Sequence, residues 1–230
     1  MRFRIVQLAA LLIVAAVGSH ANAALLAGYN FTGGSSASVA TIADPQNFQV
    51  HNTTTETSSG TDIALSSSTN TGYLRSDATG STMTAALNDD DYFSFVVNAP
   101  GGELLYLQSL VFSLGGSTNP GATLNNTIYV QSSVDGFGDS NPVIDTRSST
   151  TTNTGGAIVV STIVPIDLTD AKFQKLASIE FRLFYSDDRD TNGDINRLDN
   201  VQLIGSLPTP AALPGGLALM SLAVLRRRGK

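Results

Sequence analysis

The chain has 230 residues, of which 19 are acidic and 13 are basic, and its formal charge is −6. It contains no cysteine, which excludes disulfides and thiol nucleophiles. Its only histidines are His20 and His51, which excludes histidine-rich metal sites and leaves His51 as the base of any Ser-His-Asp triad in the mature chain.

The first 23 residues have the pattern of a secretory signal peptide. Two arginines precede an apolar stretch over residues 5–17, and Ala21 and Ala23 form a small-residue cleavage site directly after it. A membrane-spanning helix is the alternative, but about 13 apolar residues are fewer than the roughly 20 that a bilayer requires. The pattern therefore predicts recognition by the export machinery and cleavage after Ala23.

Residues 24–206 are predicted to form one domain, followed by a separate C-terminal segment over residues 207–230. This domain contains all 19 acidic residues but only 7 of the 13 basic ones, so its formal charge is −12. Nucleic acid is therefore excluded as an expected partner, because binding it requires lysines and arginines that neutralise phosphates. The charge favours cations over anions as ligands.

Short runs of β-branched and aromatic residues recur between clusters of Gly, Asn, Asp and Ser, which predicts an all-β fold, an antiparallel β-sandwich or jelly roll. The alternating sequence ASIEFRLFYS places Ile179, Phe181 and Leu183 on the core face. Ile128 and Val130 share one face of TIYVQSSVDGF. The predicted strands are Leu25–Thr32, Asn47–Val50, Gly72–Arg75, Tyr92–Val97, Leu105–Leu114, Thr127–Ser133, Ala157–Val164, Ser178–Tyr185 and Asn200–Ile204.

One short helix is predicted within this domain, at LTDAKFQKL over residues 168–176, with Thr169 or Asp170 as its cap. Stretches rich in Ser and Thr at residues 53–59, 66–71 and 148–154 are expected to be loops or exposed edge strands. The acidic cluster at residues 88–91 is interpreted as a charged turn before a strand.

The sequence SDDRDTNGDINRLDN, between the last two predicted strands, has oxygen side chains at the spacing of a calcium loop. From Asp188 it reads D-x-D-x-N-G-D-I-N-x-x-D, and calcium prefers six to eight oxygen ligands from a loop that wraps around it. The loop resembles the dockerin version of the EF-hand, with aspartate at the twelfth position. Because strands rather than helices are predicted on both sides, a plain polar hairpin loop is the alternative. The candidate ligands are Asp188, Asp190, Asn192, Asp194 through its backbone carbonyl, Asn196 and Asp199.

The last 24 residues combine a proline pair, an apolar run and a basic cluster. An uncharged apolar run over residues 211–225 makes a helix of about 22 Å at 1.5 Å per residue, short of a hydrocarbon core of about 30 Å. The arginines after it favour a cytoplasmic location for that end. An ordinary core helix is the alternative. The residues of the two flanking motifs are Pro208, Thr209, Pro210, Arg226, Arg227 and Arg228.

These three parts, in this order, resemble the PEP-CTERM sorting signal of Gram-negative bacteria, with Thr209 in place of the usual glutamate. The resemblance implies recognition by a membrane transpeptidase of the exosortase type. It also implies that the helix enters the membrane only transiently, that it is then removed, and that the body reaches the cell envelope, the cell surface or the extracellular matrix.

The segments IYVQSSVDGF, EFRLFYS and RLDNVQLIG resemble the β-sandwich domains that commonly precede such sorting signals. The resemblance implies a non-enzymatic adhesive or matrix role. Similar sandwiches include carbohydrate-binding modules and discoidin-like domains, so a calcium-dependent module that binds polysaccharide is an alternative. A further alternative is a hydrolase with paired carboxylates, which requires Glu103 or Glu180 deep in a pocket opposite an aspartate.

Overall fold

The structure, a computed structural model, describes residues 23–31, 42–51, 63–66, 71–75, 82–88, 92–117, 120–138, 142–152, 159–163, 165–188 and 195–207. Ala23–Leu207 forms one compact unit in which every strand pair is antiparallel and the strands form two sheets. The predicted all-β antiparallel sandwich is thus confirmed. The predicted signal peptide, through residue 22, and the predicted sorting helix lie outside the described residues.

The first sheet is organised around β14 (Ile195–Ser206), which pairs with β7 (Leu105–Ser117) along most of its length. On its other side, β14 pairs first with β5 (Thr71–Arg75) and then, further along, with β1 (Ala24–Tyr29). The other strands of this sheet are β4 (Ile63–Ser66), β10 (Val159–Thr162), β11 (Ile166–Asp167) and β12 (Gln174–Leu176).

The second sheet is organised around β13 (Ser178–Asp187), which lies between β6 (Tyr92–Asn98) and β8 (Thr123–Ser132). The chain alternates between the sheets from β6 to β7 to β8 and again from β12 to β13 to β14. Each sheet therefore depends on strands from distant parts of the chain, as in a jelly roll. The other strands of this sheet are β2 (Asp44–Pro45), β3 (Gln49–His51) and β9 (Asp145–Thr152).

Each predicted strand has a counterpart in the structure, although several boundaries differ. The largest difference is in β14, which begins at Ile195 rather than Asn200 because its first residues pair with both β5 and β7. The stretch predicted as loop or edge strand at residues 148–154 supplies most of β9, the last strand of the second sheet. Turn-forming Asn, Asp, Ser and Thr residues are thus part of regular strands in both places.

The helix predicted at residues 168–176 is only a 3-10 turn, Ala171–Phe173, followed directly by β12. The expected cap is present, because the Asp170 carboxylate accepts a hydrogen bond from the Lys172 backbone N–H at 2.9 Å. The structure instead contains α1 (Met83–Asn88), which the sequence did not predict. In the described ranges, no helix has the length and apolarity needed to cross a bilayer.

The core between the sheets is rich in aromatic side chains. Ile179, Phe181 and Leu183 are buried in it, as predicted, together with Ile128 and Val130. The helix α1 covers a second, smaller apolar cluster that contains the side chains of Ala86, Leu87, Tyr92 and Phe184.

The two ends of the sandwich have different roles in the chain path. Ala24 of β1 lies opposite Gly205 of β14, so the chain enters and leaves the body side by side at what we call the terminal end. At the opposite end, β13 finishes at Asp187 and β14 begins at Ile195, and we call this the loop end. The nine residue-to-residue steps of β14 from Asn196 to Gly205 separate these ends by about 30 Å at 3.3 Å per residue.

Candidate functional site

Three of the six predicted calcium ligands are described by the structure. Asp188 follows β13, whereas Asn196 and Asp199 lie within β14, opposite Gly116 and Ser113 of β7. Residues 196 and 199 are an odd number apart on one strand, so their side chains point to opposite faces. The last five positions of the motif are therefore strand rather than loop. Asp190, Asn192 and Asp194 lie outside the described residues.

The Asp188 carboxylate joins neighbouring strands on the exposed surface of the second sheet. Its Oδ1 accepts from the backbone N–H of Asn125 at 2.9 Å, and its Oδ2 accepts from Asn125 Nδ2 at 2.6 Å. The Thr150 hydroxyl on β9 then donates to Asn125 Oδ1 at 2.7 Å. These bonds give Asp188 a structural role in holding the end of β13 to β8 and β9.

The Asp199 carboxylate accepts hydrogen bonds from the next residue of its own strand. The backbone N–H of Asn200 donates to Asp199 Oδ1 at 2.7 Å, and Asn200 Nδ2 donates to Oδ2 at 3.2 Å. Burial raises the pKa of Asp199, and the backbone hydrogen bond from Asn200 opposes this shift only in part. The ionised carboxylate is therefore less stable here than in water.

We expect Asp199→Asn to increase the free energy of unfolding at pH 7. The pKa of Asp199 is higher in the folded chain than in the unfolded one. The contribution of Asp199 to stability therefore falls as the pH rises through the folded-state pKa. The neutral amide oxygen of the variant still accepts from Asn200.

Urea unfolding at neutral and acidic pH measures this effect. The gain in the free energy of unfolding should disappear below about pH 3.5, where aspartate is protonated in both the folded and the unfolded chain. A loss of stability at pH 7 would contradict the expectation. A loss that appears only with added calcium would instead identify Asp199 as a ligand.

Three buried polar side chains lie between the sheets at the loop end, and we call them the polar layer (Asn126, Asp187 and Asn196). Asn126 and Asn196 are 0% exposed and Asp187 is 5% exposed. Asn196 Nδ2 donates to Asp187 Oδ2 at 2.8 Å, which links the first sheet to the second. Asn126 Nδ2 donates to the carbonyl oxygen of Gly115 on β7, which is a second link between the sheets. Ser149 of β9 supports Asn126 by donating to its Oδ1 at 2.8 Å.

Two buried oxygen atoms have no hydrogen-bond partner in the structure. One is Asn196 Oδ1, within the polar layer, and the other is the hydroxyl of Tyr185, on the same strand as Asp187. Tyr185 precedes Asp187 by two residues on β13, so both side chains point to the same face. Burial raises the pKa of Tyr185 well above its ordinary value, and Arg197 opposes this shift only in part. The phenol therefore stays neutral, as a buried polar group that usually finds a partner in folded proteins.

Neither glutamate considered for a hydrolase occupies the required position. Glu180 Oε1 is 2.9 Å from Arg182 Nε, with about a quarter of each side chain exposed. Glu103 is also partly exposed. His51 Nε2 lies 3.0 Å from the Ser94 hydroxyl, but Ser94 is buried in β6 and only 3% exposed. Among the described residues, no group of three or more His, Cys, Asp or Glu side chains is arranged to hold a metal ion.

A pocket of about 260 Å³ lies along the β1–β14 pair. Its polar lining is dominated by amide side chains, and none of the residues that line it is acidic. The lining residues are Leu25, Gly28, Tyr29, Asn30, Asn200 and Gln202.

No family model matches the chain. No curated protein is similar to it. Among solved structures, the K3 cleaved adhesin domain of Lys-gingipain from Porphyromonas gingivalis W83 aligns with a TM-score of 0.35 at 12% identity, over 80% of this chain and 99% of that domain. The K1 cleaved adhesin domain of the same protein aligns with a TM-score of 0.32 at 15% identity, over 79% of this chain and 97% of that domain. A structure of infectious bursal disease virus, Gx strain, aligns with a TM-score of 0.25 at 20% identity, over 54% of this chain and 32% of that one.

Proposed function

We propose that the chain is a non-enzymatic exported protein of the cell envelope or extracellular matrix, delivered there through its C-terminal sorting segment. One observation carries the proposal: the limits of the folded body match the expected processing sites. The first strand begins at Ala24, directly after the expected signal cleavage, and the last strand ends at Ser206, two residues before Pro208. Processing at both sites therefore leaves every strand of the sandwich intact.

The path of the chain places the two processing sites and the loop end at opposite ends of the sandwich. Ala24 and Gly205 are paired across neighbouring strands, so both processing sites lie at the terminal end. A body attached through residues after Leu207 presents its loop end on the far side, about 30 Å away along β14. The loop end is therefore the part of the sandwich that faces outward from the attachment point.

The partners that this function requires follow from the sequence motifs. The export machinery recognises residues 1–23, and an exosortase-type transpeptidase recognises the segment that contains Pro208, Thr209 and Pro210. The apolar helix after Pro210 enters the membrane only transiently, because it is shorter than the hydrocarbon core. The arginines at its end keep that terminus on the cytoplasmic side until the helix is removed.

Deleting residues 208–230 should move the protein from the cell to the medium. The deletion removes no described strand, so the exported body should fold as before. Fractionation of the native host, with an antibody against the body, measures the distribution between cell and medium. If the deleted form stays on the cell to the same extent as the full chain, the proposed sorting function is wrong.

Two further variants separate sorting from folding. Replacing Pro208 and Pro210 by alanine should block processing, so that mass spectrometry finds the C-terminal helix still attached to the chain. Replacing Arg147 by alanine is the matched control, because it alters a surface ion pair with Asp145 on β9 and leaves the sorting segment unchanged. The control should be sorted and processed like the unmodified chain.

Polysaccharide binding is a second candidate function, and the pocket along β1 and β14 favours it. Amide side chains both donate and accept hydrogen bonds, which suits sugar hydroxyls. Asn200 and Gln202 contribute two such groups from one strand. A glycan array probed with the full chain, with and without calcium, tests this function. Binding that persists after Gln202→Ala would exclude this pocket as the site.

A further inference from the structure

We propose that the polar layer and Tyr185 together form a site for one calcium ion between the two sheets at the loop end. The proposal concerns the interior of the sandwich, and its principal ligand is Asp187, which the twelve-residue sequence motif does not include. It is independent of the sorting function, because every group in it belongs to the folded body.

The chemistry of the side chains fits a hard cation. The layer supplies a carboxylate from Asp187 and amide oxygens from Asn126 and Asn196, and the Tyr185 hydroxyl lies on the same face of β13 as Asp187. Calcium prefers carboxylate and amide oxygens and uses six to eight oxygen ligands, including backbone carbonyls and waters. The neighbouring Arg197 comes directly after Asn196 on β14, so its side chain leaves the opposite face of that strand, although its charge still acts on the Tyr185 hydroxyl.

The unpartnered oxygen atoms point to a ligand more directly than composition does. The amide of Asn196 donates to Asp187, which leaves its Oδ1 without a hydrogen-bond partner in a residue that is 0% exposed. The Tyr185 hydroxyl has no partner in a residue that is 1% exposed. A buried oxygen without a partner costs about 1–3 kcal/mol. A cation that accepts lone pairs from both oxygens removes that cost.

A cation at this position would also stabilise the fold. Asn196 belongs to the first sheet, whereas Asn126, Tyr185 and Asp187 belong to the second, so a bound ion connects the two sheets. The chain has no cysteine and therefore no disulfide that could do so. Calcium should accordingly raise the melting temperature of the chain, and the rise should continue with the logarithm of the calcium concentration above the Kd.

The experiment is a calorimetric titration of the purified full chain with calcium chloride after removal of divalent ions, followed by thermal unfolding. We expect one ion per chain with a Kd of about 0.1–1 mM, as for extracellular calcium modules. Asp187→Asn should weaken binding by about 100-fold, since it removes the only carboxylate of the polar layer. This variant keeps an oxygen that can accept from Asn196, so it should still fold.

Asp188→Asn is the matched control, because it removes the same charge one residue further along the chain. Asp188 is exposed and bonded to Asn125 on the outer surface, so its variant should bind calcium like the unmodified chain. If Asp188→Asn abolishes binding and Asp187→Asn leaves it unchanged, the ion is held by the exposed loop and the interior site is wrong. Absence of heat and of any rise in melting temperature at about 5 mM calcium also overturns the proposal.

Asn196→Asp tests the same site by adding a carboxylate in place of the unpartnered amide oxygen. Without calcium, this variant places two carboxylates next to each other and should melt at a lower temperature than the unmodified chain. With calcium, its melting temperature should rise by more than that of the unmodified chain. An equal or smaller rise contradicts the proposal, even if Asp187→Asn fails to fold.

Discussion

Replacing Gly205 by alanine should lower the free energy of unfolding by about 3 kcal/mol. A β-carbon at this position would collide with the backbone carbonyl oxygen of Tyr106, and it would lie 2.7 Å from Leu26 Cδ1 and 3.1 Å from Leu107 Cα. Two of these three contacts are with the backbone of β7. The clash can therefore be relieved only by moving β7 away from β14, and these strands form the longest pair in the first sheet.

Urea unfolding of the full chain measures this loss, and Gly121→Ala provides the control. Gly121 has a φ of +82° in the turn before β8, but a β-carbon there has no atom within 4 Å. The control should therefore lose only about 1–2 kcal/mol, from backbone strain alone. A loss at Gly205 no larger than the loss at Gly121 would show that β7 and β14 are not packed as closely as the structure indicates.

The position of Gly205 connects this prediction to sorting. Gly205 pairs with Ala24 at the terminal end, where the chain leaves the sandwich toward the sorting segment. Separating β7 from β14 there would also disturb β1, which among the described strands pairs with β14 alone. We therefore expect the variant to be degraded more during export than the unmodified chain, without a change in the processing sites.

The alternation of side chains along strands was the most reliable information in the sequence. It placed Ile179, Phe181 and Leu183 in the core, because apolar residues that alternate with polar ones along a strand indicate a buried face. The same alternation reaches the polar layer when it is extended by two to four residues. From Leu183 it passes through Tyr185 to Asp187, and from Ile128 it reaches Asn126.

Local sequence does not predict the polar layer, because composition conceals the periodicity at the ends of these strands. Asp187 and Asn196 lie in a stretch of Asp, Asn and Gly that is typical of turns, and the sequence therefore predicts a single loop there. Pairing with β5 and β7 places Asn196 in a strand, and such pairing between distant segments cannot be inferred from local sequence. The calcium motif overlaps the polar layer at Asn196, but local sequence does not predict that its last five positions form a strand.

The helices show that local sequence preference alone does not decide where a helix forms. Residues 168–176 have a good cap at Asp170, but Lys175 has a φ of +63° and its neighbours form β12 against β7. Tertiary pairing thus overrode the helical preference. The six-residue helix α1 is stabilised by Ala86 and Leu87 against Tyr92 and Phe184, contacts that depend on the completed second sheet. A helix that short has little stability of its own.

Phe95→Ala should produce the largest loss of stability that we predict, about 4 kcal/mol. The Phe95 ring is fully buried, and its centroid lies 5.3 Å from that of Tyr29, 5.7 Å from that of Phe48 and 5.3 Å from that of Phe181. Its removal leaves a cavity among rings from three separate segments of the chain, and the surrounding backbone belongs to strands that cannot close it.

The matched control is Met83→Ala, which removes a large apolar side chain that is 42% exposed on α1. That variant should change stability by less than about 0.5 kcal/mol, as surface substitutions usually do. Phe95→Leu should fall between the two, because it keeps part of the buried volume. Since the chain has no disulfide, and the proposed calcium site lies at the loop end, the loss at Phe95 should be the same with and without calcium. A loss that calcium reverses would mean that the aromatic core and the polar layer are coupled, and that the two ends of the sandwich do not contribute to stability independently.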